Sequence, residues 1–212
     1  MKKENLPNKI AIFPLSNAIF FPRTILPLNI FEERYVKLIN DCMKENRLFG
    51  MVQPKIKTQP KPEVYKVGCL GKIISFTETM DKIFLISLSG IIRFKIKEEL
   101  ETKKLYREFK VDYSDFISDL TEKKDEKNFM KKELINKIKN FLIKKNYIVE
   151  FTKLEKLDFD QLISTICMLG PFSDSEKQKL IETIKVEDKV KVLEELIQFN
   201  SIIDSEFKQT IN

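Results

Sequence analysis

Pro14, Pro22 and Pro27 fall inside an otherwise apolar stretch, FPLSNAIFFPRTILPLNIFEERY at 13–35, and restrict what the chain can fold into more than any other feature. Each proline fixes its own φ, lacks an N–H donor and biases the preceding residue towards extended backbone, so no continuous helix can run through the segment. A secretory leader needs an unbroken apolar run of roughly 7 to 15 residues. Here Pro14 interrupts after Ile10, Ala11, Ile12 and Phe13. A membrane helix needs about 20 apolar residues, and this window contains three prolines, Asn17, Asn29 and Arg23. The expectation is a soluble, unprocessed cytoplasmic protein with no membrane association.

The same prolines predict short strands joined by bends, at 10–13 and 25–28, with Phe20, Phe21, Pro22 and Arg23 in the turn region between them. From Glu32 the period changes. Tyr35, Leu38, Ile39, Cys42 and Met43 share one face of a helix, and Asn46 is placed to cap its end. A short apolar strand at 48–52 and a proline-rich, lysine-rich loop at 54–62 follow. β-branched and aromatic residues then return in VYKVGCLGKIISFTET, KIFLISLSG, IIRFKIKEEL and YREFKVDYS. Gly68 and Gly71 are spaced as bulge or close-approach positions, and Ser89 with Gly90 divides two of these strands.

After Asp115 the pattern turns helical. The stretch 119–128 is charged and poor in apolar residues; beyond it Met130, Leu134, Ile138, Phe141 and Leu142 mark a long amphipathic helix. A second helix covers 157–169 and stops at Gly170 and Pro171. Ser173 and Glu176 have capping-box spacing and open a third, carrying Leu180, Ile181 and Ile184. Val190, Leu193, Leu196, Ile197 and Phe207 supply a fourth. Strands first and helices afterwards predict an α+β protein, with a β domain at 1–117 and a helical domain at 118–212.

Composition removes much chemistry. With no histidine there is no Ser-His or Cys-His dyad and no imidazole ligand. The five glycines form neither a phosphate-wrapping loop nor a dinucleotide turn. Cys42, Cys69 and Cys167 are widely spaced and read as buried, reduced thiols rather than metal ligands. Glu32 with Glu33, Glu98 with Glu99 and Glu194 with Glu195 read as solvated or capping carboxylates. No catalytic, cofactor-binding or metal-ligating residue is expected.

The basic excess is confined to one half. Residues 1–115 carry 21 of the 38 Lys and Arg against 14 of the 32 Asp and Glu. In IIRFKIK at 91–97, Arg93, Lys95 and Lys97 alternate with Ile92, Phe94 and Ile96, as in a half-buried strand with a basic outer face. Such a face leaves an RNA surface open as a second reading.

Five pieces in order, IAIFPLSNAIFFPRTILPLNIFEERYVKLI at 10–39, RLFGMVQPK at 47–55, VYKVGCLGKIISF at 64–76, GIIRFKI at 90–96 and LYREFKVDYSDF at 105–116, resemble the amino-terminal, substrate-binding domain of Lon proteases. LGPFSDSEKQKLIE at 169–182 is similar to the helical part that follows there. LPLNIFEERY and GIIRF look like stand-alone members of that family. The hairpin before IFLISLSG departs from its usual Asp-Gly turn, reading TETMDKI, and the ATPase and Ser-Lys peptidase motifs are missing. The resemblance implies a PUA-like β pseudo-barrel with one helix, followed by a helical bundle.

It further implies a non-enzymatic module that binds unfolded or exposed apolar polypeptide, an adaptor or regulator of proteolysis with a protease among its partners. Phe20, Phe21 and Arg23, Arg34 and Tyr35, and Tyr65 are the contact candidates. The alternative is an RNA-binding PUA-like module that uses the basic half.

Overall fold

The computed structural model describes residues 3–16, 18–55, 62–121, 128–148 and 150–210, with 128–129 and 203–210 as backbone only. Most of the 54–62 loop, most of the charged stretch 119–128 and the side chain of Phe207 lie outside the described residues. The chain divides into two compact units, Met1–Glu122 and Lys123–Asn212.

The first unit holds strands β1 (Lys9–Pro14), β2 (Ile25–Ile30), β3 (Leu48–Val52), β4 (Val67–Glu78), β5 (Phe84–Leu100) and β6 (Arg107–Asp112), with helix α1 (Glu33–Lys44) between β2 and β3. Their order is β2-β5-β4-β3-β1-β6, and β6 also pairs with β5. Five strands therefore close into a ring, β5-β4-β3-β1-β6-β5, and β2 is left outside it as an edge. Only β1 and β3 run parallel. Ile12, Phe49, Leu70, Leu88, Ile92 and Phe94 fill the interior. Tyr35, Leu38, Ile39 and Cys42 are the buried stripe of α1, as their spacing predicts.

Strand β5 differs from expectation. Gly90 does not end it; the strand runs unbroken for 17 residues. What changes at Gly90 is the partner along one edge. From Phe84 to Ser89 that edge meets β2. From Lys95 onward it meets β6. A short 3-10 helix, Ser114–Leu120, fills the gap. Asp119 accepts from the Arg93 backbone N–H (3.0 Å) and from two of the three guanidinium nitrogens, Nε at 2.9 Å and Nη2 at 2.8 Å. The guanidinium also lies 4.5 Å from the centre of the Phe116 ring.

Gly90 is needed because the Phe21 carbonyl approaches it closely: a Cβ there would sit 2.1 Å from that oxygen. The register shift at Leu70 and Gly71 in β4 matches the predicted bulge. Helix α1 ends one step before the expected Asn46. Glu45 is its C-cap, and the left-handed residue that follows is Arg47 (φ 63°), whose N–H reaches back to the Cys42 carbonyl.

The second unit contains α2 (Asn128–Lys144), α3 (Phe151–Glu155), α4 (Phe159–Leu169), α5 (Asp174–Glu182) and α6 (Val186–Thr210). The capping box at Ser173 and Glu176 is formed in both directions. Leu134, Ile138, Phe141, Leu162, Ile166, Leu180 and Leu193 form its core. Among the described residues, no helix is long and apolar enough to cross a membrane.

Candidate functional site

The sheet formed by β2, the first half of β5 and the second half of β4 has a buried inner side and an exposed outer side. Leu28, Ile30, Ile73, Phe84, Ile86 and Leu88 point inward and are buried. Their alternates point outward in register. Ile25 lies opposite Ser89, Pro27 opposite Ser87 and Asn29 opposite Leu85. On the far side of β5, Lys72, Ser75 and Thr77 continue these rows.

Apolar surface gathers on that outer side. Ile25 is 58% exposed, Ile74 at the β4 bulge 53%, and Phe31, just after β2, 70%. Leu85 and Pro27 are exposed between them. Most exposed apolar residues are scattered singly and need no explanation. Here the register puts Ile25, Pro27 and Leu85 on one sheet face among Asn29, Lys72 and serine and threonine hydroxyls, with Ile74 at the adjoining bulge and Phe31 just past the strand. Exposed apolar side chains gathered in this way make the face a candidate contact surface.

The residues expected to form the site fall elsewhere. Phe20 and Phe21 are 2% and 0% exposed, so they present no surface. The Phe20 ring occupies the space beside Gly71, 2.6 Å from where a Cβ would stand, and supports β4 from within. Tyr35 is likewise buried, its ring 4.0 Å from that of Phe13. These three are scaffold. Arg23 adopts a left-handed conformation (φ 64°) and donates its N–H to the Gly90 carbonyl at 2.9 Å. It stands half-buried at the Ile25 end of the face. Arg34 is exposed, donating Nε (3.0 Å) and Nη2 (2.8 Å) to Glu32 over the Tyr35 ring. Tyr65 is half-buried, its N–H bonded to the Gln53 carbonyl. The fold brings Arg34 and Tyr35 together, but it does not gather the six into one site.

The basic outer face expected of β5 is also corrected. Arg93 is only 2% exposed, because the 3-10 helix lies over it. Other cations of the barrel meet carboxylates across strands: Lys97 with Asp112 (3.0 Å), Lys110 with Glu98 (3.4 Å), Arg107 with Glu99 (2.8 Å) and Lys9 with Glu108 (3.0 Å).

A family model described as the ATP-dependent protease La (LON) substrate-binding domain matches residues 9–198. The chain belongs to the Lon substrate-binding domain family. Lon protease of Dictyoglomus thermophilum is 24% identical over 220 residues, covering 98% of this chain and 27% of that protein. Lon protease 2 of Myxococcus xanthus is 22% identical over 210 residues, covering 93% and 24%. The chain thus spans about a quarter of the length of these curated relatives.

Two solved structures share the fold. The crystal structure of a Lon N-terminal domain protein from Xanthomonas campestris superposes with a TM-score of 0.62 at 18% identity, covering 90% of this chain and 97% of that one. The N-terminal domain of the Mycobacterium avium complex Lon protease gives 0.64 at 13% identity, covering 90% and 98%. The α+β architecture read from the strand and helix pattern is that of Lon amino-terminal domains.

The Lon substrate-binding domain is a non-catalytic module. A polar cavity of about 230 Å³ lies between the end of α1, β1 and β6, lined among others by Lys9, Asp41, Cys42, Lys104, Tyr106 and Glu108. Burial opposes ionisation of Glu108, but bonds from Lys104 and Lys9 outweigh it and hold the carboxyl below its usual range. Asp41 is lowered in the same way: burial is outweighed by bonds from Tyr106 and Lys37. Burial pushes the Cys42 thiol up to about 12, so it is no nucleophile at neutral pH. Among the described residues no group of three histidine, cysteine, aspartate or glutamate side chains is placed to hold a metal ion.

The lowered carboxyls of Glu108 and Asp41 contribute to the acid response of this domain. A group whose pKa falls on folding contributes stability above its unfolded pKa, about 4, and loses it as pH drops through the folded value. Urea unfolding midpoints are therefore expected to fall steeply between about pH 5 and pH 3. Glu108→Gln is expected to be less stable at pH 7 and to flatten that fall.

Proposed function

We propose that this chain is a non-catalytic recognition module for protein substrates, acting as an adaptor or regulator of proteolysis, and that it receives unfolded or exposed apolar polypeptide on the outer face of β2, β5 and β4. The observation that carries the reading is the gathering of Ile25, Pro27, Ile74, Leu85 and Phe31 on one exposed sheet face, in a domain of a family described as substrate-binding. Arg23, at one end of the face, remains a contact candidate; Phe20 and Phe21 support the sheet from beneath. The cytoplasm is the compartment for such a module, since free thiols like those of Cys42, Cys69 and Cys167 persist there.

An RNA surface has less support. The cations that would meet phosphate are matched by carboxylates along β5 and β6, so phosphate contacts would have to displace ion pairs already made.

Binding of a permanently unfolded probe, reduced and carboxymethylated α-lactalbumin, tests the reading. The wild-type chain is expected to bind it, and to bind native α-lactalbumin far more weakly. Ile25→Asp and Leu85→Asp are each expected to weaken binding by at least about tenfold, the loss of one large apolar contact. Both positions are exposed, so the unfolding midpoint stays close to wild type. Equal binding by both variants contradicts the placement of the site.

A further inference from the structure

Among the described residues strand β2 stands outside the closed ring as an edge of this sheet, and its backbone groups can be sorted by direction. Gly90 donates its N–H to the Thr24 carbonyl at 2.9 Å. Following the antiparallel register from there, Leu26 with Leu88, Leu28 with Ile86 and Ile30 with Phe84 exchange hydrogen bonds. Ile25, Pro27 and Asn29 therefore turn their backbone groups away from β5. Pro27 fits this assignment, because its missing N–H costs the ladder nothing at that position. With no partner among the described residues, this edge offers N–H donors at Ile25 and Asn29 and carbonyl acceptors at Ile25, Pro27 and Asn29.

Natural edges are blunted by charge, by proline, by bulges or by covering elements; Pro27 removes one outward N–H from this edge and leaves those of Ile25 and Asn29. The sequence of β2, ILPLNI, contains no charged residue. The side chains flanking the edge are the exposed apolar residues of the face just described. The margins carry both signs. Lys72 lies in the row of Ile25, and Arg23 stands beside it; Glu32 and Asp81 lie in the segments that adjoin the Ile30 end. A polyphosphate chain or an anionic bilayer would be complemented at the Arg23 and Lys72 end alone and repelled at the Glu32 and Asp81 end, whereas a polypeptide of mixed charge suits both.

Resting on the proposed substrate-binding role, we propose that the free edge of β2 takes an extended polypeptide segment as an added strand. Backbone bonds to Ile25 and Asn29 then hold the segment whatever its sequence, and its outward side chains continue the apolar rows of the face. The ligand class is an extended segment with apolar residues at alternate positions, as in unfolded amphipathic strands. A preformed helix, whose backbone groups are already paired, is excluded.

The probe is a fluorescein-labelled nonapeptide alternating valine and threonine, tested against the full chain. Asn29→Pro removes an outward N–H and no ladder bond; it is expected to weaken binding about tenfold, the upper range for one hydrogen bond. Asn29→Ala keeps the N–H and is expected to lose much less. In the wild type, amide exchange at Ile25 and Asn29 is expected to slow at least tenfold with saturating peptide, a readout that holds even if Asn29→Pro does not fold. Unchanged exchange at both amides with peptide bound overturns the added strand, while leaving the substrate-binding reading intact. Failure to bind either this peptide or unfolded α-lactalbumin overturns both. A wild-type dimer with these amides already protected shows that a second copy occupies the edge, and overturns the proposal.

Discussion

Asp119→Ala is expected to destabilise the barrel by about 3 to 5 kcal/mol, the usual cost of removing one partner from a buried ion pair. Arg93 is 2% exposed and pinned at 2.8 and 2.9 Å by the Asp119 carboxylate, which also closes the backbone gap on β5 between β2 and β6. The alanine removes the Asp119 charge from beside that buried guanidinium, together with the bond that the carboxylate accepts from the Arg93 N–H. The pair itself need not be worth this much, because desolvation offsets most of its attraction. Arg93→Met with Asp119→Leu is therefore expected to recover most of the loss. Urea unfolding followed by tyrosine fluorescence measures both variants; Tyr35, Tyr65, Tyr106 and Tyr113 report on this unit, and the chain has no tryptophan. Equal losses in the single and double variants would mean that packing of the 3-10 helix, rather than charge, is what Asp119 provides.

Gly90→Ala is expected to cost about 3 kcal/mol, at the upper end of what overpacking does. The new Cβ would stand 2.1 Å from the Phe21 carbonyl and 3.1 Å from the Cα of Pro22, both backbone, so no side chain can swing aside. The strain is relieved only by moving the segment that leads into β2 away from β5. The variant should thus lose affinity for unfolded polypeptide as well as stability, because the outer face is assembled across the β2 and β5 register. A comparison at a temperature where both proteins are folded separates the two effects.

What the sequence made legible follows locality. The Ser173 capping box, the α1 stripe and the passage from proline-broken strands into a helix depend on residues a few positions apart, and each formed as its spacing predicts. Pro27 likewise carried real information: a proline within a strand belongs at an edge, and β2 is that edge. The candidate site was less legible because it is built across strands. In ILPLNI both alternating sets are largely apolar, so alternation alone does not say whether Ile25 or Leu26 faces outward; the partner β5 decides it.

Phe20 and Phe21 were contact candidates in the proline-bounded turn. Here the turn folds under the sheet, and the glycines at 71 and 90 make room for it. Arg93 read as part of a basic face because alternation assumes solvent on the polar side. That side is covered by a helix from 26 residues further along the chain, a long-range fact. The run across Ser89 and Gly90 looked like two strands because glycine usually weakens one. In this strand it serves a close approach.

The most direct measurement is a chemical-shift map of the isotopically labelled chain titrated with reduced, carboxymethylated α-lactalbumin. Binding on the outer face should concentrate the perturbations at 25–31, 72–79 and 83–89. Perturbations centred instead on Arg34, Tyr65 and the cavity between α1 and β6, or on α2 to α6, with 25–31 unmoved, would contradict it.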